Sequence, residues 1–219
     1  MKFKDTKYGD LTGQTYNGDL DISGLNLTSL EGAPEIVRGD FYCNDNQLIS
    51  LKGSPKKVNG DFDCTYNELK SLEGASEIVR GDFDCSYNDL TSLEGAPKIV
   101  NGSFDCRTNN LISLEGAPEV VGRDFDCYDN NLTTLKGSPK KVNGNFYCYD
   151  NQLTSLEGVP KLISGIIACE SNPNENLNIE YKLRKENPNL SDDEINAMMI
   201  EQGYYEYYLP EESKDIFFL

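Results

Sequence analysis

The chain has 219 residues, no histidine, and 37 acidic against 20 basic residues, for a formal net charge of −17. That balance opposes binding to phosphate backbones or anionic membrane, and the missing histidine removes Ser-His-Asp and Cys-His catalysis and most catalytic zinc sites. No apolar run approaches the ~18 residues of a membrane span, and Met1 to Asp10 carries no hydrophobic signal segment, so the expectation is a soluble, cytoplasmic protein.

Residues 1–17 form an N-terminal segment outside any repeat, and a periodic region follows over 18–172. It opens on an atypical coil: Leu20, Ile22 and Leu25 stand where later units have Phe, Cys and Asn, as in a terminal capping repeat. Cys43, Cys64, Cys85, Cys106, Cys127, Cys148 and Cys169 then follow at intervals of 21 residues, and Asn46, Asn67, Asn88, Asn109, Asn130, Asn151 and Asn172 stand three residues after them. Leu30, Leu51, Leu72, Leu93, Leu114, Leu135 and Leu156 keep the same interval. A fixed period of this length predicts a solenoid, in which each unit buries its apolar residues by stacking on its neighbours.

The unit from Gly81 to Asn101 shows how a coil is wired. Phe83 and Cys85 alternate with Asp82 and Asp84, a period of two that predicts a short strand with Phe and Cys inward and both aspartates toward solvent. Leu90, Leu93 and Val100 fill the rest of the coil. Gly95 and Pro97 break the chain on its return, which predicts turns and extended or polyproline-like backbone there. The asparagine of each unit is expected to point inward and to pair with backbone groups at the bend, which would otherwise be buried unsatisfied. The cysteines read as a reduced column of small buried groups, since seven is odd and their side chains run parallel. Without Cys-x-x-Cys spacing or histidine, no metal or other cofactor is expected.

Phe83, Cys85, Asn88, Leu90 and Leu93 fall on an L-x-L-x-x-N-x-L framework, and here the unit resembles a leucine-rich repeat. The Asn-x-Leu-Thr-Ser-Leu-x-Gly-Ala-Pro wording is similar to the short-repeat bacterial class, especially to repeat proteins of bacteriophage and prophage genomes. The likeness covers roughly residues 18–172, and its departures are local: Ser76 stands in place of Pro, Gly122-Arg123 reverses the order of Arg38-Gly39, and Phe stands where Leu is commoner. It implies a mainly β solenoid with a parallel sheet on a concave face and little or no helix on the convex side. A role in binding and inhibiting a bacterial host defence factor is likewise implied by the resemblance.

The outward columns of the predicted strands are candidates for a partner-binding face. One column contains Asp40, Asp61, Asp82 and Asp124, and the next contains Tyr42, Asp63, Asp84, Asp105, Asp126 and Tyr147. Like charges opposite one another on a ladder destabilise it, so the stacking of four aspartates from Asp63 to Asp126 points either to use or to a soluble residue copied with each duplication. Arg107, Tyr128 and Tyr149 follow their cysteines directly, and Tyr66 and Tyr87 come one position later, so aromatic rings flank the acidic stripe. On the opposite side Glu31, Glu73, Glu94, Glu115 and Glu157 alternate with Lys52 and Lys136 and read as a solvated face.

Residues 173–219 read as a helical, tyrosine-rich C-terminal cap. A short helix is predicted within Asn174 to Asn187, and Ser191-Asp-Asp-Glu194 is a capping box opening a second helix through Ile195, Met198 and Met199. Tyr204, Tyr205, Tyr207 and Tyr208 offer a possible second contact. The functional expectation is a non-enzymatic binder of another protein bearing a basic patch, with no nucleic-acid or membrane partner. The alternatives are a nucleic-acid mimic filling a DNA- or RNA-binding cleft, and a carbohydrate-binding or hydrolytic protein using the same carboxylates.

Overall fold

The two-residue alternations of each unit become strands because stacking places identical residues in register. In the computed structural model, which describes residues 1–201, every coil contributes one strand to each of two parallel eight-stranded sheets. The chain runs β1 (Thr15–Tyr16), β2 (Leu20–Asp21), β3 (Ile36–Val37), β4 (Phe41–Tyr42), β5 (Lys57–Val58), β6 (Phe62–Asp63), β7 (Ile78–Val79) and β8 (Phe83–Asp84). It continues through β9 (Ile99–Val100), β10 (Phe104–Asp105), β11 (Val120–Val121), β12 (Phe125–Asp126), β13 (Lys141–Val142), β14 (Phe146–Tyr147), β15 (Leu162–Ile163) and β16 (Ile167–Ala168). Even-numbered strands form the Phe-Cys sheet and odd-numbered strands a second, valine-lined sheet, so the return side is itself a sheet.

The registers explain the column chemistry. Phe62, Phe83, Phe104, Phe125 and Phe146 pair in sequence across the Phe-Cys sheet. From Phe83 onward their rings stack 5.3–5.5 Å apart. Val79, Val100, Val121 and Val142 form the corresponding inward column of the other sheet. With Leu90- and Leu93-type residues from the bends they make one continuous buried core along the solenoid axis.

Both ends are closed by residues that imitate a neighbouring coil. At the start, Phe3 is fully buried and stacks on Tyr8, while its backbone N–H donates to Ser29 O at 3.0 Å. At the end, the predicted helices are α1 (Leu177–Glu186) and α2 (Asp192–Glu201), the latter opened by the Ser191–Glu194 capping box. In the body, the N–H of Leu93 donates to Glu115 O and that of Leu114 to Lys136 O, each one coil onward. Leu156 has no such coil ahead, and its N–H donates instead to Oε1 of the fully buried Glu180 in α1, at 3.0 Å. Arg184 holds that carboxylate at 2.6 Å and bridges to Asp192 at 2.5 Å, which ties α1 to α2. Tyr204, Tyr205, Tyr207 and Tyr208 lie outside the described residues.

Candidate binding face

Each bend after a cysteine is built by its asparagine. Asn109 Nδ2 donates to the carbonyls of Cys85 (3.1 Å), Cys106 (3.1 Å) and Arg107 (3.2 Å), while Oδ1 accepts the N–H of Leu90 at 2.9 Å. One amide thus joins two coils, as the sequence predicts. The cysteines are all free and buried, and Cys85 Sγ donates to Asp105 O at 3.2 Å. Burial pushes their thiols well above the ordinary range.

The aspartate columns differ from the expectation of fully solvent-facing side chains. In the first, Oδ1 of Asp40 accepts the N–H of Asp61, that of Asp61 the N–H of Asp82, and that of Asp82 the N–H of Ser103, each at 2.8 Å. Asp124 does the same for Asn145 at 2.6 Å. These carboxylates tie each coil to the next, and the glycine before them leaves the space: a Cβ on Gly81 would stand 2.0 Å from Asp61 Oδ1. In the second column Asp63, Asp84 and Asp105 are half-buried, and each Oδ1 accepts the N–H two residues on, from Thr65, Ser86 and Arg107. Burial raises the pKa of Asp84; burial and the Asp84 charge raise Asp105 to about 7; burial and Asp124 raise Asp126 to about 6. Alternation in the sequence shows which way a side chain leaves the strand, but not that the next coil then half-covers it.

Beside this column runs a stack of planar groups, one per coil. Tyr66 and Tyr87 lie face to face with centroids 4.5 Å apart, and Tyr128 and Tyr149 do so at 4.3 Å. Arg107 fills the gap between the two pairs. Its guanidinium carbon lies 5.7 Å from the Tyr87 centroid and 5.6 Å from that of Tyr128. Nη1 donates to the Tyr128 hydroxyl at 2.8 Å and sits 3.4 Å from Asp105 Oδ2. Tyr147 meets Tyr149 edge-on at 6.5 Å, and Tyr42 donates its hydroxyl to Asp40 at 2.9 Å. The strand residues of the predicted face therefore share one sheet, with Tyr66, Tyr87, Arg107, Tyr128, Tyr149 and Tyr147 in successive contact and Tyr42 apart from them.

Backbone conformation marks two of these tyrosines further. The second residue after each cysteine is left-handed, and Asp45, Thr108, Asp129, Asp150 and Ser171 occupy that place in other coils at φ between 50° and 54°. Asp tolerates this conformation, whereas a bulky residue adopts it rarely. Tyr66 and Tyr87 do so at φ 51° and 54°, and they remain 52% and 38% exposed. Asp45, the neighbour of Tyr66 in this column, was not among the candidates; its only sequence signal was its place one period before Tyr66.

Among the described residues no group of His, Cys, Asp or Glu is placed to hold a metal ion, and no helix is long and apolar enough to cross a membrane. Among the described residues a cleft lies at the cap, lined by Ile163, Tyr181, Arg184 and Ile195, away from the aspartate columns. In comparisons with known proteins, the chain matches no family model and no curated protein.

Proposed function

We propose that the chain is a non-enzymatic binding protein whose Phe-Cys sheet face and adjoining tyrosine stack engage a basic patch on another protein. The observation that carries this reading is the pair Tyr66 and Tyr87, stacked, exposed and held in a left-handed conformation that the neighbouring coils give to the smaller Asp45 and Thr108. Tyrosines presented beside carboxylates combine an interface anchor with a field that attracts cations. Repetition of the carboxylates along an open sheet face argues against a single enclosed reaction centre. The resemblance of the repeat to bacteriophage and prophage sequences extends the proposal to sequestration of a bacterial host factor, such as a defence component, in the host cytoplasm.

The test is capture from a lysate of the native host followed by mass spectrometry, using the full chain and the variant with Asp63, Asp84, Asp105 and Asp126 all changed to Asn. A basic protein captured by the wild type and depleted with the variant supports the reading. With that protein in hand, the variant should associate more slowly and with weaker salt dependence, while Tyr87→Ala should dissociate faster. A captured partner with unchanged kinetics for both variants places the interface elsewhere.

A further inference from the structure

The planar stack holds one group per coil from Tyr66 to Tyr149, and its central member is a guanidinium, not a ring. Arg107 shows what this surface does with such a group: two tyrosine faces sandwich it, and the carboxylate two residues before it takes its charge. Asp105 can do so because its Oδ1 is engaged by the Arg107 N–H, which leaves Oδ2 for the side chain.

The same elements recur, without the cation, at the end of the stack. One face of Tyr66 is covered by Tyr87, and the ring is half exposed. The next coil in that direction carries Asp45, whose N–H donates to Thr65 O at 3.1 Å and whose carboxylate, beside Tyr66, accepts from Asn44 Nδ2 through Oδ2 at 3.0 Å. An aromatic face and the Asp45 carboxylate thus lie together at the end of the stack.

We infer that this end of the stack is an arginine-binding site, in which a guanidinium from the partner protein stacks on Tyr66 and pairs with Asp45, as Arg107 stacks on Tyr87 and Tyr128 and pairs with Asp105. The inference rests on the binding face proposed above and names the side chain that the face selects. Guanidinium fits better than ammonium because it is planar, stacks on rings and presents donors as a fork to carboxylates, whereas an ammonium is a strongly hydrated point charge.

The probe is N-acetyl-arginine amide, titrated into the full chain carrying 13C-labelled tyrosine, with N-acetyl-lysine amide as its control. The expected result is a saturable shift of the Tyr66 ring resonances, at least about threefold tighter for the arginine probe. Asp45→Asn should weaken it, and in Tyr66→Leu the arginine probe should lose its preference over the lysine probe at the neighbouring Tyr87 ring; both positions are exposed, and an unchanged amide spectrum elsewhere confirms the fold. Equal response to the lysine probe, a response indifferent to Asp45→Asn, or shifts only at other tyrosines would overturn the inference. If the arginine probe fails while changing the four aspartates still abolishes partner capture, only this site falls. If the probe binds as expected while capture is indifferent to those aspartates, the wider binding face falls instead.

Discussion

The interior columns divide the labour by chemistry. Phenylalanine supplies volume, cysteine fills a small gap and donates weakly, and asparagine satisfies backbone atoms that the bend would otherwise strand. Their replacements should therefore separate. Cys85→Ala removes one sulfur from a packed column and is expected to cost about 1 kcal/mol, while Phe83→Ala leaves a cavity in the ring stack and should cost roughly 3–5 kcal/mol. Asn109→Ala leaves the Leu90 N–H unpaired, while the carbonyls of Cys85, Cys106 and Arg107 each keep a second donor, so about 1–3 kcal/mol is expected. Denaturant unfolding of the three variants checks the order, and a Cys85→Ala loss equal to that of Phe83→Ala would contradict it. A second expectation concerns Tyr66. Replacing it by Asn relieves a left-handed tyrosine, worth roughly 1 kcal/mol, and gives up a ring stack worth roughly 0.5–1.5 kcal/mol. The two nearly cancel, so Tyr66→Asn should keep the melting temperature within a few degrees while losing partner affinity. A large fall in stability would mean that the tyrosine stack serves the fold.

Among the elements, the cap shows how a solenoid ends without an open edge. Glu180 supplies the acceptor that the next coil would have supplied to Leu156, and Asn178 Oδ1 takes the Cys169 thiol at 3.2 Å as backbone carbonyls take its predecessors. Glu180→Leu should therefore leave a buried N–H and the Arg184 guanidinium short of a partner, at about 1–3 kcal/mol for the N–H alone. Because coils touch only their neighbours, the damage should stay local. Hydrogen exchange is expected to quicken at Leu156 and the last coil and to stay unchanged before Leu93; uniform acceleration would refute the cap assignment. The sequence displayed the Phe, Cys, Asn and Leu columns because each repeats six or seven times, and it displayed α2 through a local capping box. Glu180 was illegible because a single contact between a helix and a coil has no periodicity. The valine-lined sheet was hidden for another reason: two-residue strands such as Ile99–Val100 are too short to show alternation, and Pro97 just before them pointed to irregular backbone.

Across the whole molecule, the fold holds charge against its own electrostatics. An ordinary aspartate titrates near about 3.9, but Asp105 is raised to about 7 and Asp126 to about 6, chiefly by burial. A raised carboxylate means that the folded state binds more protons than the unfolded state across the interval between those values. The corresponding stability is complete below about pH 4 and is lost as pH rises to about 7 for Asp105 and about 6 for Asp126. Glu31, Glu115 and Glu119 are shifted downward by lysine partners and act with the opposite sign, but they are exposed surface pairs whose contribution is small. The chain should thus melt higher at pH 5 than at pH 8. Changing Asp63, Asp84, Asp105 and Asp126 together to Asn keeps the Oδ1 acceptors for Thr65, Ser86 and Arg107 and deletes the charges. That variant should melt higher than the wild type at pH 8, and the difference should shrink at pH 5, where wild-type Asp105 and Asp126 already carry protons. Calorimetry of both proteins at the two pH values decides it. A variant that is less stable at pH 8 would show that the carboxylates strengthen the ladder, and the case for a charge column maintained for a cationic partner would then lose its energetic basis.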